Sequence, residues 1–315
     1  MKILVAPLNW GLGHATRCVP IIRQLLADCH DPVIVADGFP LEFLRQEFPQ
    51  LRFIELTSYS IHYASGKSQI GAMIFSLPVI IKGIIKEHLW LRKLLRTEHF
   101  DQIISDNRFG MWHKTVHSVY ITHQLMIKMP RYLKFFEPTA HFVHKAFVNR
   151  YDECWIPDRL ENGGLSGDLS HKYPLTPNAK FIGTLSRFQG LKAELPTMEY
   201  SVVAVISGVE PQRTLFENDL IARYKNAEKK TLIVCGQPNK SCSKQILGNL
   251  TLVSHLSDKV MMSVLLGATK IICRSGYSSI MDLEALDCLH KAELIPTPGQ
   301  TEQEYLFELN NIHED

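Results

Sequence analysis

A histidine at position 14 directly follows Gly11-Leu12-Gly13, after a short apolar run from Ile3 to Ala6 and ahead of Val19, Ile22 and Leu26 at helical spacing. A glycine turn between a strand and a helix lets backbone approach a ligand, and the helix start offers unpaired N–H groups to an anion or a sugar. The positive end of a helix disfavours a cationic imidazole, so His14 is expected to stay neutral and able to accept a proton near neutral pH. The other reading is a histidine that caps or packs locally, and in a chain with 14 histidines both stand. The loop is not a P-loop, since no Gly-Lys-Ser/Thr follows. Nor is it a dinucleotide fingerprint, because Arg17-Cys18 occupy the place of the third glycine.

Further polar loops follow apolar runs. Ser207-Gly208-Val209-Glu210-Pro211-Gln212-Arg213 is read as a turn whose small residues suit phosphate oxygens, with Arg213 as a charge-assisted donor or, alternatively, a solvated arginine. In Cys273-Arg274-Ser275-Gly276, Arg274 is a candidate phosphate contact and Ser275 and Gly276 open a helix. Asp282, about two turns on, could hold ribose hydroxyls if it faces a cleft, or be a surface Asp of an N-capped helix. After Pro296 and Pro298 come Gln300, Glu302 and Gln303, polar groups suited to sugar hydroxyls or simply to water. Asp106 ends Ile103-Ile104-Ser105, where it would orient His14, replace it as base, or bond backbone in a turn. His123 and Gln124, after Ile121-Thr122, are candidate contacts for acceptor hydroxyls or donor phosphates, with a core or rim histidine the alternative.

Strands alternating with helix-length segments must position these loops. The 315 residues suit two α/β domains with parallel sheets, set at 1–190 and 191–315. Strands are expected at 3–6, 33–36, 51–56, 100–105, 119–122, 151–156 and 181–183, then at 201–206, 231–236, 251–253, 270–273 and 292–296. Residues 161–177, rich in glycine and proline, read as loop, and 184–196 as an interdomain linker. Open parallel sheets bind ligands beyond their C-terminal strand ends, so a cleft between the domains is the expected site.

Composition excludes several classes. A formal net charge of +2 gives no basic excess for nucleic acid. Seven scattered cysteines without a C-x-x-C pair give no zinc or dithiol motif and indicate a reducing, cytoplasmic compartment. The N-terminus reads as a buried strand rather than a signal peptide, and no run reaches a transmembrane length of about 18 apolar residues. Residues 70–95 are dense in apolar groups, interrupted by Lys82, Lys86, Arg92 and Lys93, with Lys128, Arg131, Lys134 and Lys145 further on. This segment is either a pair of helices packed on a sheet or a peripheral contact for the inner face of an anionic membrane.

Taken in order, these landmarks resemble the GT-B glycosyltransferases, in which two Rossmann-like domains face a cleft. Within them they resemble the family 28 group containing the enzyme that adds N-acetylglucosamine to lipid I. The resemblance spans nearly the whole chain through Gly11-Leu12-Gly13-His14, Ser207-Gly208, Arg274-Ser275-Gly276 with Asp282, and Pro296, Pro298, Gln300 and Gln303. It implies an N-terminal acceptor domain and a C-terminal donor domain for a nucleotide diphosphate-sugar, uridine-linked, with no cofactor or metal and inversion at the anomeric carbon. The donor loop Gly208-Val209-Glu210-Pro211 lacks the group's glycine run, Asp282 stands where that group has glutamate, and Trp10 precedes a glycine-poor first loop. A divergent member acting on another glycan or lipid-linked acceptor is therefore expected. The sequence stops soon after the glutamine loop, where the fold usually continues through helices that return to the first domain, so a shortened donor domain is expected. A UDP-sugar epimerase of the same fold and a non-catalytic nucleotide-sugar-binding scaffold are the rival readings.

Overall fold

The computed structural model describes residues 1–57, 69–192, 195–238 and 243–311, and side chains within 69–77 are left undescribed. Strands β1 (Lys2–Pro7), β2 (Asp31–Ala36), β3 (Arg52–Glu55), β4 (Gln102–Asp106), β5 (His117–Ile121), β6 (Glu153–Ile156) and β7 (Ala179–Phe181) form one parallel sheet, in the order β3-β2-β1-β4-β5-β6-β7. Its helices are α1 (Gly13–Ala27), α2 (Gly38–Glu47), α3 (Gln69–Thr97), α4 (Glu137–Val148) and the one-turn α5 (Asp168–His171). The second sheet takes β8 (Val202–Val205), β9 (Thr231–Val234), β10 (Lys244–Leu247), β11 (Leu250–Val253), β12 (Lys270–Arg274) and β13 (Ala292–Ile295), in the order β10-β11-β9-β8-β12-β13. Helices α6 (Gln212–Tyr224), α7 (Asp258–Gly267), α8 (Tyr277–Ala285) and α9 (Thr301–Asn311) belong with it.

The buried strands read as near-continuous apolar runs because both faces of a parallel sheet are covered. Ile3, Leu4, Val5 and Ala6 are fully buried, as are Val203, Ala204, Ile271 and Ile272. β10 was not foreseen: it pairs antiparallel with β11 at a sheet edge and is exposed along its length, so it carries no apolar alternation to read. Within the segment read as loop, the Leu165 and Ser166 N–H groups donate to Asp158 (2.8 and 2.9 Å), and the one-turn helix α5 forms inside it.

Each sheet has a point where strand order reverses, between β1 and β4 in the first and between β8 and β12 in the second. Crevices for ligands open at such points. The two points face one another because α1 and α8 pack together: Ala15, Val19 and Ile22 share one buried cluster with Tyr277, Ile280 and Met281. The segment between the sheets is held by Asp282, which accepts from Ser186 Oγ (2.7 Å) and Arg187 Nε (3.0 Å). Helix α9 returns to the first sheet: Tyr305 Oη accepts the Asp168 N–H at 2.7 Å, and Lys128 Nζ lies 3.9 Å above the Tyr305 ring.

Residues 69–97 form one helix rather than two, running through Pro78. Ile81, Ile85 and Leu89 recur every fourth residue along it and are each more than half exposed. Lys82, Lys86, Arg92 and Lys93 are exposed on the same helix. No described helix is long and apolar enough to cross a membrane.

Candidate active site between the two sheets

β1 and β4 are neighbours with Pro7 opposite Asp106, and the Leu8 N–H donates to the Asp106 carbonyl at 3.0 Å. That register carries the chain leaving β1 past the Asp106 side chain. Gly11 turns it with φ of +90°, a conformation open to glycine, and α1 begins two residues later. His14 therefore sits in the first turn of α1 with Nδ1 2.7 Å from Asp106 Oδ1. Arg17, one turn further on the same helix face, binds both Asp106 oxygens through Nε and Nη2.

Burial alone would raise the Asp106 pKa, but the adjoining Arg17 and His14 outweigh it and hold the carboxyl at about 2. Asp106 is thus an anion and only accepts hydrogen bonds, so His14 carries its proton on Nδ1 and keeps the lone pair on Nε2. Arg17 Nη2 also lies 2.9 Å from His14 Nδ1, but two donors cannot bond each other, and that nitrogen is satisfied by Asp106. Burial pulls the His14 pKa below its ordinary value, against the upward pull of Asp106, and the nearby Arg17 charge adds to the lowering. The result is an oriented, neutral imidazole with an available lone pair.

Arg17 reaches a second histidine. Its Nη1 lies 3.0 Å from His123 Nδ1, which must accept because a guanidinium only donates. His123 Nε2 then carries the proton and donates to Glu302 Oε1 at 2.7 Å. The His123 ring stacks on Tyr277 with centroids 4.2 Å apart. His123 is therefore engaged on both nitrogens. The Gln124 side chain makes no hydrogen bond among the described residues; its backbone N–H bonds Thr122 Oγ1 at 3.1 Å.

The loops of the second sheet converge on the same place. Gly208 has φ of +109°, and its Cα lies 3.6 Å from where a Gly11 side chain would begin. Ser278 Oγ donates to the Gly13 carbonyl at 3.0 Å, linking the start of α8 to the start of α1. Ser207 leads into this approach from β8, beside β12. Arg274, at the end of β12, donates from Nη1 to the Pro296 carbonyl at 2.9 Å and lies 3.9 Å above the Phe216 ring. Burial lowers its pKa to about 10. The described chain buries five arginines, and four of them, Arg17, Arg108, Arg187 and Arg213, meet a carboxylate; Arg274 meets none. A buried guanidinium without an anion is an electrostatic deficit that a phosphate group would fill.

Around Arg274, Ser275 Oγ donates to the Gln303 carbonyl (2.8 Å) and Gly276 caps α8. The Gln303 amide accepts from Thr297 N–H (2.9 Å) and donates to Gln300 Oε1 (2.6 Å). Both glutamines thus shape the loop, while the Gln300 amide nitrogen and the second Glu302 oxygen have no partner among the described residues.

Two expected ligand contacts have other occupations. Arg213 donates to Glu210 (2.6 Å), Glu217, the Cys235 carbonyl (3.0 Å) and Thr214 (2.8 Å), so its guanidinium ties the α6 start to β9 rather than facing a phosphate. Asp282 is buried and both of its oxygens are bonded to the interdomain segment, by Ser186 Oγ and Arg187 Nε. Sequence reasoning also missed Arg17 and Ser278. The separation of three residues from His14 to Arg17 was the available signal, since residues so spaced share a helix face; nothing local marks Ser278.

No family model matches the chain. A Methanosarcina mazei protein described as an uncharacterized glycosyltransferase is 23% identical over 325 aligned residues, covering 96% of this chain and 82% of its own. Among solved structures, the calicheamicin glycosyltransferase CalG4 superposes with a TM-score of 0.61 at 12% identity, over 96% of this chain and 83% of its own. A Listeria monocytogenes protein described as a UDP-N-acetylglucosamine 2-epimerase gives 0.55 at 11% identity, over 99% and 88%. At such identities the likeness concerns architecture: the chain has the GT-B fold, two parallel-dominated α/β sheets meeting across a crevice.

Proposed function

We propose that the chain is an inverting, metal-independent glycosyltransferase, moving a sugar from a nucleotide diphosphate-sugar, uridine-linked, to a glycan or lipid-linked acceptor. The observation that carries this reading is the juxtaposition, through the Ser278–Gly13 bond, of an oriented neutral histidine and a buried arginine with no carboxylate at ion-pair distance among the described residues. His14 Nε2 takes the proton of an acceptor hydroxyl while that oxygen attacks the anomeric carbon. The new bond forms opposite the breaking bond to the diphosphate, which inverts the carbon. The departing charge falls on Arg274 and on the N–H groups at the start of α8, beside Ser275 and Gly276, so no cation is required of the solvent. Asp106 offsets the imidazolium that forms. Ser207, Gly208 and Gly11 let backbone close on the phosphates, and Gln300, Glu302 and Gln303 border the sugar. Gln124 borders the acceptor.

The test is release of nucleotide from UDP-sugars, with and without EDTA, across glycan and lipid-linked acceptors. Acceptor-dependent release that survives EDTA, with an inverted anomer in the product, is expected. The epimerase-like neighbour favours a second reading, in which sugar isomers interconvert without any acceptor; that outcome would replace the first.

A peripheral membrane contact is part of the proposal. Besides the α3 stripe, Tyr132, Phe135 and Phe142 are each at least two-thirds exposed, with Arg131 and Lys134 exposed beside them. Aromatic and basic groups together suit an anionic lipid surface that carries the acceptor. Lys128 is not part of it, being bonded to Asp168 at 2.9 Å. Flotation with anionic but not neutral vesicles is expected, and flotation with neither would remove this part.

A further inference from the structure

We infer that Glu302, brought from the donor domain, is a positioning residue that makes the His14–Asp106 pair able to take up a proton, acting through His123 and Arg17 without touching the reacting atoms. The inference rests on the reading of His14 as the base.

The five side chains form one hydrogen-bonded line: Glu302 Oε1 to His123 Nε2 (2.7 Å), His123 Nδ1 to Arg17 Nη1 (3.0 Å), Arg17 to both oxygens of Asp106, and Asp106 Oδ1 to His14 Nδ1 (2.7 Å). Four of its members come from the first domain and only Glu302 from the second, in the first turn of α9. Charge along the line decides what it can do. Arg17 alone would cancel Asp106, and a proton arriving on His14 would leave the buried line with a net positive charge. With Glu302 in place the resting line carries one negative charge, and protonation of His14 brings it to neutrality. Arg17, Asp106 and His123 at the middle of the line are buried, so water screens the charge there only in part, while Glu302 at its end is about one-third exposed.

Among the described residues, the other titratable groups nearest the line do not supply this compensation, and Asp158, beside Tyr277, is taken up by the Leu165 and Ser166 N–H groups. Burial raises the Cys18 thiol and the Tyr277 hydroxyl far above their ordinary ranges, so both stay neutral. Ser278, facing Gly13 from α8, carries no charge. Glu302 is itself an anion: burial would raise its pKa, but His123 and Arg17 lower it overall. Because the second carboxylate arrives on the donor domain, proton removal from the acceptor is coupled to the domains being together.

The experiment compares wild type, Glu302→Gln and Glu302→Asp, using 15N-labelled histidine to follow the ring nitrogens of His14 and His123 against pH by NMR. Wild-type His123 should show its proton on Nε2 and His14 on Nδ1. In Glu302→Gln the His14 midpoint should fall by at least about half a pH unit, since a neighbouring anion is lost. The acid limb of kcat should move down by the same amount, with the plateau of kcat reduced about two- to threefold by the weaker base. Glu302→Asp should recover part of both. An unmoved His14 midpoint and acid limb, with a higher donor KM instead, would overturn the inference and make Glu302 a plain sugar ligand. The NMR arm needs no turnover, so a chain without transferase activity would still test the line.

Discussion

Ser278 Oγ donates to the Gly13 carbonyl at 3.0 Å, and a β-carbon placed on Gly13 would stand 2.9 Å from that same oxygen. The absence of a side chain at residue 13 is therefore what lets the starts of α1 and α8 meet. Gly13→Ala should push the two loops apart and lower kcat/KM about tenfold, while thermal stability hardly changes because alanine favours a helix. Adding Ser278→Ala removes the closest contact, leaving the Ser278 β-carbon at 3.3 Å, and should restore part of the rate; a double variant no better than the single would place the effect elsewhere.

His14→Ala should remove about a hundredfold or more of kcat and leave nucleotide binding unchanged. In the wild type the base must be neutral, so activity should rise with pH through a midpoint below 6.5, the direction in which burial moves the His14 pKa. A rate that falls as pH rises through that region would have the wrong sign for a general base.

Asp106 also links pH to stability. Its folded pKa of about 2 lies below the usual carboxylate value. The stabilisation is thus present above pH about 4 and lost as pH falls toward 2, on the order of 2 kcal/mol. Urea denaturation of wild type against Asp106→Asn should show a gap that narrows across that window. A gap independent of pH would mean that the variant acts through packing alone.

Arg213→Ala should lower stability by about 2 kcal/mol, since Glu210, Glu217 and the Cys235 carbonyl each lose a charged donor. Its nucleotide affinity should stay within about twofold of wild type. The reverse pattern, a stable protein that binds nucleotide poorly, would return Arg213 to the phosphates.

Much of this architecture was legible because parallel strands bury both faces. Ile3 to Ala6, Val202 to Val205 and Ile271 to Cys273 stand out as apolar runs, and the glycines at 11, 208 and 276 follow their ends. Edge strand β10 had no such mark. At the site, residue types and loop ends pointed to His14, Asp106 and Arg274, and the spacing from His14 to Arg17 was readable too. The pairing of Glu302 with His123 was not, because 179 residues separate them and only the packing of α9 against the first sheet joins them. Nor could the sequence tell that Asp282, in a helix opening like a ribose site, would turn to Ser186 and Arg187, 96 and 95 residues away.

The central claim is that the crevice holds a nucleotide diphosphate on Arg274, next to His14. Calorimetric titration of UDP, GDP and dTDP without metal, into wild type, Arg274→Ala and His14→Ala, tests it most directly. UDP should bind the wild type selectively, His14→Ala should bind it equally well, and Arg274→Ala should bind about 10- to 100-fold more weakly, the loss of one charge-assisted contact. A folded wild type that takes up none of the three nucleotides, or an Arg274→Ala variant that binds as tightly as wild type, would contradict the account.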